Sequence, residues 1–322
     1  MSGPLTILVT GRYEEADKAL LRRSAPGARV EFVELVELVE LVHDLAGLVE
    51  TADAIVGHVP DDLLAAARRL RWVHSPAAGV DTALSPGMLA SDVVLTSATG
   101  NGAIPLAEHA LLLMMMLNRD VPRWLRAQGD RRWDRFTHDE LAGRSVGLFG
   151  LGGSGLDLAR KAKACHMRVL GMRRRHCPSD PAVDEMFAPG DFHRFLGACD
   201  FVVVTAPLTA ATKGVFGRAA FEAMRPTAFF VCVSRGGIAD DEALLDALRR
   251  RRIAGAGLDA HGVEPLPPES PFWGLPNIII TPHNGATTKA TARRGLDILA
   301  DNLGRFCKGE PLRNIVDKAA GY

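Results

Sequence analysis

A glycine-rich turn near the middle of the chain restricts the fold more than any other feature. Its pattern is G-x-G-x-x-G, and its residues are Gly150, Leu151, Gly152, Gly153, Ser154 and Gly155. The apolar run Val146–Phe149 precedes it and a helical pattern begins at Ser154, so the turn joins a strand to a helix. The first glycine permits the tight turn, the second lets the backbone approach a pyrophosphate, and the third allows close helix packing. Because free N–H groups at a helix start attract negative charge, we predict that these residues bind a dinucleotide.

Short apolar runs alternate with helical patterns on both sides of this turn. The runs before it are Leu5–Thr10, Val30–Val33, Ala54–Val56, Trp72–His74 and Val93–Thr96. Those after it are Val169–Met172, Phe201–Thr205, Phe229–Val233, Gly255–Leu258 and Ile278–Thr281. The clearest helical patterns are Asp61–Leu70, about Pro105–Asn118 and about Thr287–Cys307. Such alternation predicts the α/β class, with doubly wound parallel sheets.

The length of the chain predicts two domains, because 322 residues exceed one ordinary core. The last predicted helix has no strand after it, so we expect it to cross back and pack on the first domain. Residues 1–98 and 289–322 are therefore predicted to form a discontinuous, flavodoxin-like substrate domain. Residues 99–288 are predicted to form a Rossmann dinucleotide-binding domain inserted into it.

Two segments have patterns that leave their structure open. The Val-Glu-Leu repeat across Glu31–Leu41 has a period of three, which matches neither helix nor strand. We interpret it as a strand passing into an amphipathic helix and attach no function to it. The polar segment Val121–Leu141 contains isolated aromatic residues, which fit either an extended arm on a partner subunit or a surface loop.

Composition excludes several classes of protein. The 38 Lys and Arg residues balance the 38 Asp and Glu residues, so no net field favours nucleic acid or anionic membranes. The five cysteines form no C-x-x-C pair, which argues against a disulfide framework and a thiolate zinc site. The N-terminus lacks a signal-peptide pattern, and the longest apolar stretch, Ala110–Leu117, is too short to span a membrane. We expect a cytoplasmic protein without a metal, and a homodimer formed through the nucleotide-binding domain.

The residues after the next strand indicate which dinucleotide binds. NAD sites usually have an acidic residue there, which accepts hydrogen bonds from the ribose 2′-hydroxyl group. This chain has Arg173, Arg174 and Arg175 instead, and no carboxylate before Asp180. Guanidinium groups suit a 2′-phosphate, so NADP is the favoured cofactor. The alternative is a solvated arginine run, with NAD bound through neutral contacts.

Three ionisable residues each follow a strand-like run in the C-terminal part of the chain. They are Arg235, Glu264 and His283. Each alone also fits an ordinary role: a surface arginine, a solvated loop carboxylate and a structural histidine. The C-terminal ends of parallel strands line one crevice, however, so the three side chains can converge. Together they predict reduction of an anionic carbonyl compound at a cofactor site.

The order of these motifs resembles the D-isomer-specific 2-hydroxyacid dehydrogenase family. The glycine turn is followed by Arg235 in S-R-G-G-I-A-D-D-E-A-L, Glu264 in G-L-D-x₄-E-P, and His283 in T-P-H. Further similar segments are Trp72–Asp81, which matches the family's substrate-carboxylate loop, Pro105–Glu108 and Ala206–Thr209. The resemblance covers nearly the whole chain.

The resemblance implies a role for each matching residue. Arg235 would orient a 2-oxo acid, with help from the backbone N–H groups of Ala78 and Gly79. His283 would protonate the carbonyl oxygen as hydride arrives from the nicotinamide, and would act as a base in the oxidation direction. Glu264 would fix the tautomer of His283 and keep a proton available near neutral pH.

Two further cofactor contacts follow from the resemblance, and three positions depart from the family pattern. Asp259 would contact the nicotinamide carboxamide, and Pro207 lies in a cofactor-binding segment. Ser154 stands where relatives often have an aliphatic residue, Thr205 where they often have histidine, and Pro76-Ala77 where a smaller pair is commoner.

The predicted function is hydride transfer between a nicotinamide cofactor and a small 2-oxo or 2-hydroxy acid of D configuration, such as glyoxylate or hydroxypyruvate. One alternative is a dehydrogenase of a bulkier 2-hydroxy acid. We expect no separate regulatory domain after Tyr322, which disfavours a serine-pathway enzyme that carries one. Another alternative is a nucleotide-sensing interaction protein, similar to the co-repressors that share this fold.

Overall fold

The computed structural model of the chain describes residues 4–34, 47–174 and 180–322. Within these residues the chain divides into two compact units. The first unit comprises Met1–Asn101 and Thr288–Tyr322, and the second comprises Gly102–Thr287. The second unit is therefore inserted into the chain of the first.

The first unit is built on a five-stranded sheet. Its strands are β1 (Thr6–Thr10), β2 (Arg29–Val33), β3 (Ala54–Val56), β4 (Trp72–Ser75) and β5 (Val94–Ser97). All neighbours pair in parallel, in the order β2-β1-β3-β4-β5. This is the flavodoxin-like strand order, so the prediction for the substrate domain's sheet is confirmed. Helices of this unit include Glu15–Ser24, Asp61–Ala66, Pro86–Ala90 and Lys289–Lys308, and the described residues 47–51 are also helical.

The last helix completes the core of the first unit. The Thr288 side chain caps its start by accepting a hydrogen bond from the Thr291 N–H, and Gly309 ends it with φ 69°. Leu296, Leu299 and Leu303 lie on one face of this helix and are buried in one cluster with β1 residues and Trp72. The apolar spacing thus explains why a helix without a following strand returns to the first sheet.

The second unit is built on a seven-stranded sheet. Its strands are β6 (Ser145–Phe149), β7 (Arg168–Met172), β8 (Glu185–Phe187), β9 (Phe201–Val204), β10 (Phe229–Cys232), β11 (Gly255–Leu258) and β12 (Ile278–Ile280). The order is β12-β11-β10-β9-β6-β7-β8, with parallel pairing throughout. The strand order reverses between β6 and β9, as in a Rossmann fold, and crevices for ligands form at such a point.

Helices cover both faces of the second sheet, which explains its nearly continuous apolar strands. They are Ala103–Asn118, Val121–Gly129, Gly153–Ala164, Phe192–Ala198, Arg218–Ala223 and Asp241–Arg249. Two apolar clusters, one on each face, contain alternate residues of the same strands: Val202 and Val204 belong to one, and Phe201 and Val203 to the other.

Two local predictions were wrong. The segment predicted as an extended arm or a surface loop begins instead with the helix Val121–Gly129, because Pro122 lies in its first turn, where proline suits a helix. The helix predicted for Asp61–Leu70 ends at Ala66, and Arg69 beyond it pairs with the buried Asp53 at 3.0 Å. Of the Val-Glu-Leu repeat, β2 includes residues 31–33, and residues 35–41 lie outside the described residues.

Candidate active site

The glycine-rich turn has the geometry that a bound pyrophosphate requires. Gly150 has φ 108°, and a Cβ there would lie 2.6 Å from the backbone nitrogen of Ala206, so only glycine fits. A Cβ at Gly155 would overlap the Gly150 carbonyl oxygen. At Gly152, by contrast, a Cβ would meet no described atom within 4 Å. The turn is therefore closed on the protein side and open at Gly152, where a phosphate could approach the backbone.

The helix Gly153–Ala164 starts immediately after this open position. Gly153 and Ser154 occupy its first turn, where the N–H groups of an α-helix have no partner within the helix. The Thr205 hydroxyl donates a hydrogen bond to the Gly150 carbonyl oxygen at 2.7 Å. Thr205, to which the sequence assigned no role, thus stabilises the turn.

Arg173 and Arg174 lie beside the turn. The Gly150 N–H donates to the Met172 carbonyl oxygen at 2.9 Å, so the end of β7 adjoins the glycines. Arg173 follows directly and is half-buried, and Arg174 is exposed. Arg175 lies outside the described residues. The two described guanidinium groups are thus at the edge of the sheet where the ribose of a dinucleotide would lie.

Pro207 is exposed at the same edge, three residues after β9. Its carbonyl oxygen accepts a hydrogen bond from the Thr212 hydroxyl at 2.7 Å, which closes a turn over residues 207–212. The exposed proline ring and the neighbouring glycine turn therefore flank the switch point of the strand order.

His283 and Glu264 form a hydrogen-bonded pair. The distance from His283 Nδ1 to Glu264 Oε2 is 2.7 Å, and since a carboxylate can only accept, Nδ1 carries the hydrogen. The Nε2 atom is then the one that can exchange a proton with a substrate. The two side chains are 39% and 35% exposed, so a small molecule can reach them. His283 has φ 50°, a left-handed conformation that is uncommon outside glycine and often marks a functional residue.

The surroundings of Glu264 keep its carboxylate ionised. Burial alone would raise the pKa of Glu264, but hydrogen bonds from the His261 N–H and from His283 outweigh it and lower the pKa. The His261 N–H donates to Oε1 at 2.8 Å while Oε2 faces His283, so both carboxylate oxygens are held. The ionised carboxylate accepts the Nδ1 hydrogen of His283 and so fixes the orientation of the imidazole ring.

Arg235 lies on a loop that is packed tightly against the loop of Glu264. A Cβ at Gly236 would overlap the His261 carbonyl group, so the two backbones are in direct contact. The Arg235 guanidinium donates to the Ser234 carbonyl oxygen at 2.8 Å. The segments that carry Arg235, Glu264 and His283 therefore adjoin one another, as the strand-end positions predict.

Asp259 is a buried anchor for the backbone that follows His283. Its carboxylate accepts hydrogen bonds from the Thr281 hydroxyl at 2.6 Å and from the N–H groups of Asn284 and Gly285 at 3.1 and 2.9 Å. His109 Nε2 lies 3.5 Å from Asp259 Oδ1. Burial alone would raise the pKa of Asp259, but the bonds from His109, Thr281 and Gly285 lower it to about 2.

Ala78 and Gly79 lie in the first unit, whereas the other described candidate residues lie in the second. They follow β4, and the Ala78 carbonyl oxygen accepts a hydrogen bond from the Thr99 hydroxyl at 3.2 Å. Among the described residues, no acceptor is paired with the N–H groups of Ala78 and Gly79. Two adjacent free donors of this kind suit a carboxylate.

The described parts of the chain show neither a membrane-spanning helix nor a metal site. No helix there has the length and apolar character required to cross a membrane. No cluster of three or more His, Cys, Asp or Glu side chains there has the arrangement of a metal site.

Comparisons with known proteins identify the family. The model of the family "D-isomer specific 2-hydroxyacid dehydrogenase, NAD binding domain" matches residues 111–285, which is more than half of the chain. The chain belongs to the D-isomer-specific 2-hydroxyacid dehydrogenase family. The resemblance inferred from the motifs is thereby confirmed.

Relatives within the family carry different names. A D-3-phosphoglycerate dehydrogenase from Archaeoglobus fulgidus is 32% identical over 80% of this chain and 49% of its own length. A glyoxylate reductase from Korarchaeum cryptofilum is 31% identical over 84% of each chain. The chain thus spans about half the length of the first relative and most of the second.

A solved structure matches the whole fold. It is an NADPH-dependent glyoxylate/hydroxypyruvate reductase from Sinorhizobium meliloti in complex with NADP and sulfate. The identity is 30%, the TM-score is 0.84, and the match covers 99% of this chain and 100% of the other.

Proposed function

We propose that this protein transfers a hydride between a nicotinamide dinucleotide, with NADPH favoured, and a small 2-oxo or 2-hydroxy acid of D configuration. In this proposal the second unit binds the dinucleotide. The observation that carries the proposal is the 2.7 Å pair of His283 and Glu264, next to the loop of Arg235. A paired imidazole beside a guanidinium suits protonation of a carbonyl oxygen in an anionic substrate.

Each residue of the site has a separate role in the reduction. Arg235 binds the carboxylate of the 2-oxo acid and polarises the neighbouring carbonyl group. His283 donates a proton from Nε2 to the carbonyl oxygen, and Glu264 accepts the Nδ1 hydrogen and so orients the ring. A bound reduced nicotinamide supplies the hydride to the carbonyl carbon. The product is the 2-hydroxy acid, and His283 regains a proton from solvent.

Two features support NADPH over NADH. Arg173 and Arg174 stand at the end of β7, where an NAD site usually has a carboxylate. Guanidinium groups form short, charge-assisted hydrogen bonds with phosphate oxygens. The Sinorhizobium meliloti reductase, which is similar over the whole chain, is NADPH-dependent.

The relatives' names support the proposed substrate class. Glyoxylate and hydroxypyruvate are the first candidates, because reductases of those acids match this chain over most of their length. A bulkier acid, 3-phosphohydroxypyruvate, is the second candidate, because D-3-phosphoglycerate dehydrogenases match at similar identity.

The test is a kinetic comparison across substrates and cofactors. The oxidation of NADPH and of NADH is followed with glyoxylate, hydroxypyruvate, pyruvate and 3-phosphohydroxypyruvate. We expect the highest kcat/KM with NADPH and one of the two small acids. Tight NADPH binding without turnover of any 2-oxo acid would reject the enzyme and favour the nucleotide-sensing alternative.

A further inference from the structure

One residue outside the predicted site contacts all three catalytic segments. His261 follows β11 and is only 7% exposed, so it cannot be a surface residue of a solvated loop. It lies between Asp259 and Glu264 in the chain. Its backbone contacts Glu264 and Gly236, and its ring contacts Thr281.

The backbone of His261 holds two of these segments. Its N–H donates to Glu264 Oε1 at 2.8 Å, which fixes the carboxylate from the side opposite to His283. Its carbonyl group is packed against Gly236, where even a Cβ atom would overlap it. The position of the Arg235 loop is thus set by the same peptide that orients Glu264.

The ring of His261 holds the third segment. Its Nε2 atom lies 3.1 Å from the Thr281 carbonyl oxygen, and since a carbonyl only accepts, Nε2 carries the hydrogen. Thr281 is two residues before His283. The ring therefore ties the backbone that leads to His283 to the loop that carries Glu264.

The other ring nitrogen shows that this bond is not incidental. His261 Nδ1 is buried and has no hydrogen-bond partner among the described residues. A buried polar atom without a partner is unfavourable, and a phenylalanine ring would fill much the same space without one. The Nε2–H bond to the Thr281 carbonyl oxygen is therefore the hydrogen bond that a histidine ring makes here and a phenylalanine ring could not make.

We propose that His261 is a positioning residue that sets the distance and angle between Glu264 and His283. It does not touch the substrate, because its ring is buried and its Nε2 is bonded to Thr281. This inference rests on the proposed function, in which the His283–Glu264 pair carries the proton. Small displacements of such a pair are costly, since a shift of about 1 Å can reduce a rate by roughly 100-fold.

The kinetic test uses two substitutions of the same residue. H261F retains a ring but removes the donor, and H261Q retains an N–H donor at a similar reach. We expect H261F to lower the reductive kcat by roughly 10- to 100-fold. The KM for the 2-oxo acid should stay within about twofold, because the Arg235 loop contacts the backbone of residue 261. H261Q should restore most of the wild-type behaviour.

A second readout does not depend on turnover. The imidazole nitrogens are observed by ¹⁵N NMR in histidine-labelled wild type and H261F, with His283→Ala used to assign the His283 signals. In the wild type, neutral His283 should carry its hydrogen on Nδ1. In H261F the Nε2–H tautomer should become substantially populated, because the acceptor that selects Nδ1–H is displaced.

The outcomes separate the inference from the proposed function. Wild-type kcat and wild-type His283 tautomer in H261F would overturn the positioning role. A lower melting temperature with an unchanged His283 tautomer, and no recovery of kcat in H261Q, would assign His261 a structural role only. If the wild type reduces no 2-oxo acid, the proposed function fails, and the NMR comparison still decides whether His261 positions the pair.

Discussion

At the scale of single residues, hydrogen-bond donors around two carboxylates determine what the site can do. Both Glu264 and Asp259 have a lowered pKa, because backbone and side-chain donors outweigh the effect of burial. Both are therefore ionised at neutral pH. Glu264 provides a negative charge for His283, and Asp259 anchors the backbone at Asn284 and Gly285.

The cofactor preference can be tested at Arg173 and Arg174. Substitution of both with glutamine should raise the Kd of NADPH at least about 10-fold, because the loss of even one charged hydrogen bond costs about 1.5–3 kcal/mol. The Kd of NADH should change by no more than about threefold, since NADH has no 2′-phosphate group. Both constants can be measured by calorimetric titration.

Arg249→Gln is the matched control, because Arg249 is exposed at the end of the helix Asp241–Arg249. It should leave both dissociation constants unchanged. Equal weakening of NADPH and NADH by the double substitution would contradict the assignment of Arg173 and Arg174 to the 2′-phosphate.

His74 in β4 predicts a pH dependence of stability. Burial lowers its pKa to about 4, from about 6.5 in the unfolded chain. Between these two values only the unfolded state takes up the proton, so stability falls as the pH falls. The loss should reach about 2 kcal/mol at pH 5 and about 3 kcal/mol below pH 4.

The measurement is the urea midpoint at pH 7 and pH 5 for the wild type and for His74→Gln. Glutamine can accept the hydrogen bond from the Thr96 hydroxyl, which lies 2.8 Å from His74 Nδ1, but it does not titrate. The variant should therefore lose less stability on acidification than the wild type. The same loss in both proteins would show that His74 is not the group responsible.

At the scale of elements, the strands were predictable and part of the site was predictable with them. β9 to β11 have both faces buried, so they read as apolar runs, and Arg235, Glu264 and His283 follow β10 to β12 at one edge. The short β8 lacks such a run. The helix Val121–Gly129 is amphipathic but short, and the polar, arginine-rich residues around it obscured its pattern.

The supporting residues of the site could not be predicted, because their contacts join distant parts of the chain. His109 bonds to Thr281, which lies 172 residues away, only after the helix Ala103–Asn118 packs on the sheet. A Cβ at Gly285 would lie 2.9 Å from His109 Cδ2, so the fit there is also tight. His261 likewise acquires its bond to Thr281 from the pairing of β11 with β12.

The helices after residue 102 predict the homodimer that the sequence suggests. Large apolar side chains remain exposed there, namely Leu112, Met115, Trp124, Leu125 and Trp133. Trp133 is 94% exposed, which is unusual for so large an apolar side chain in a monomer. We expect light scattering to give a mass of twice the 34.6 kDa of one chain.

Substitution of Leu125 and Trp133 with glutamate should shift the protein toward the monomer, because a charge in an apolar interface is strongly unfavourable. Leu89→Glu is the matched control, since Leu89 is 49% exposed on the helix Pro86–Ala90 of the first unit. A monomeric wild type, or a dimer that resists the double substitution, would contradict this interface.

At the scale of the whole molecule, the chain order explains the discontinuous first unit. The sequence predicted this discontinuity, because the last helix has an apolar face but no strand after it. In the structure that face packs with β1 in the first unit. The fold class and both strand orders follow from alternation and topology rules. The substrate could not be predicted in this way, because the contacts of a few side chains determine it. Relatives of about equal identity accordingly have names with different substrates.

The most direct test of the account is the effect of His283→Ala on catalysis and on cofactor binding, measured in one preparation. We expect kcat for 2-oxo acid reduction to fall at least about 100-fold, because the general acid is lost. The Kd of NADPH should stay within about twofold, since the contacts of the glycine turn remain. A variant with nearly normal turnover, or one that loses NADPH binding to the same extent as turnover, would contradict the role of His283 as the proton donor.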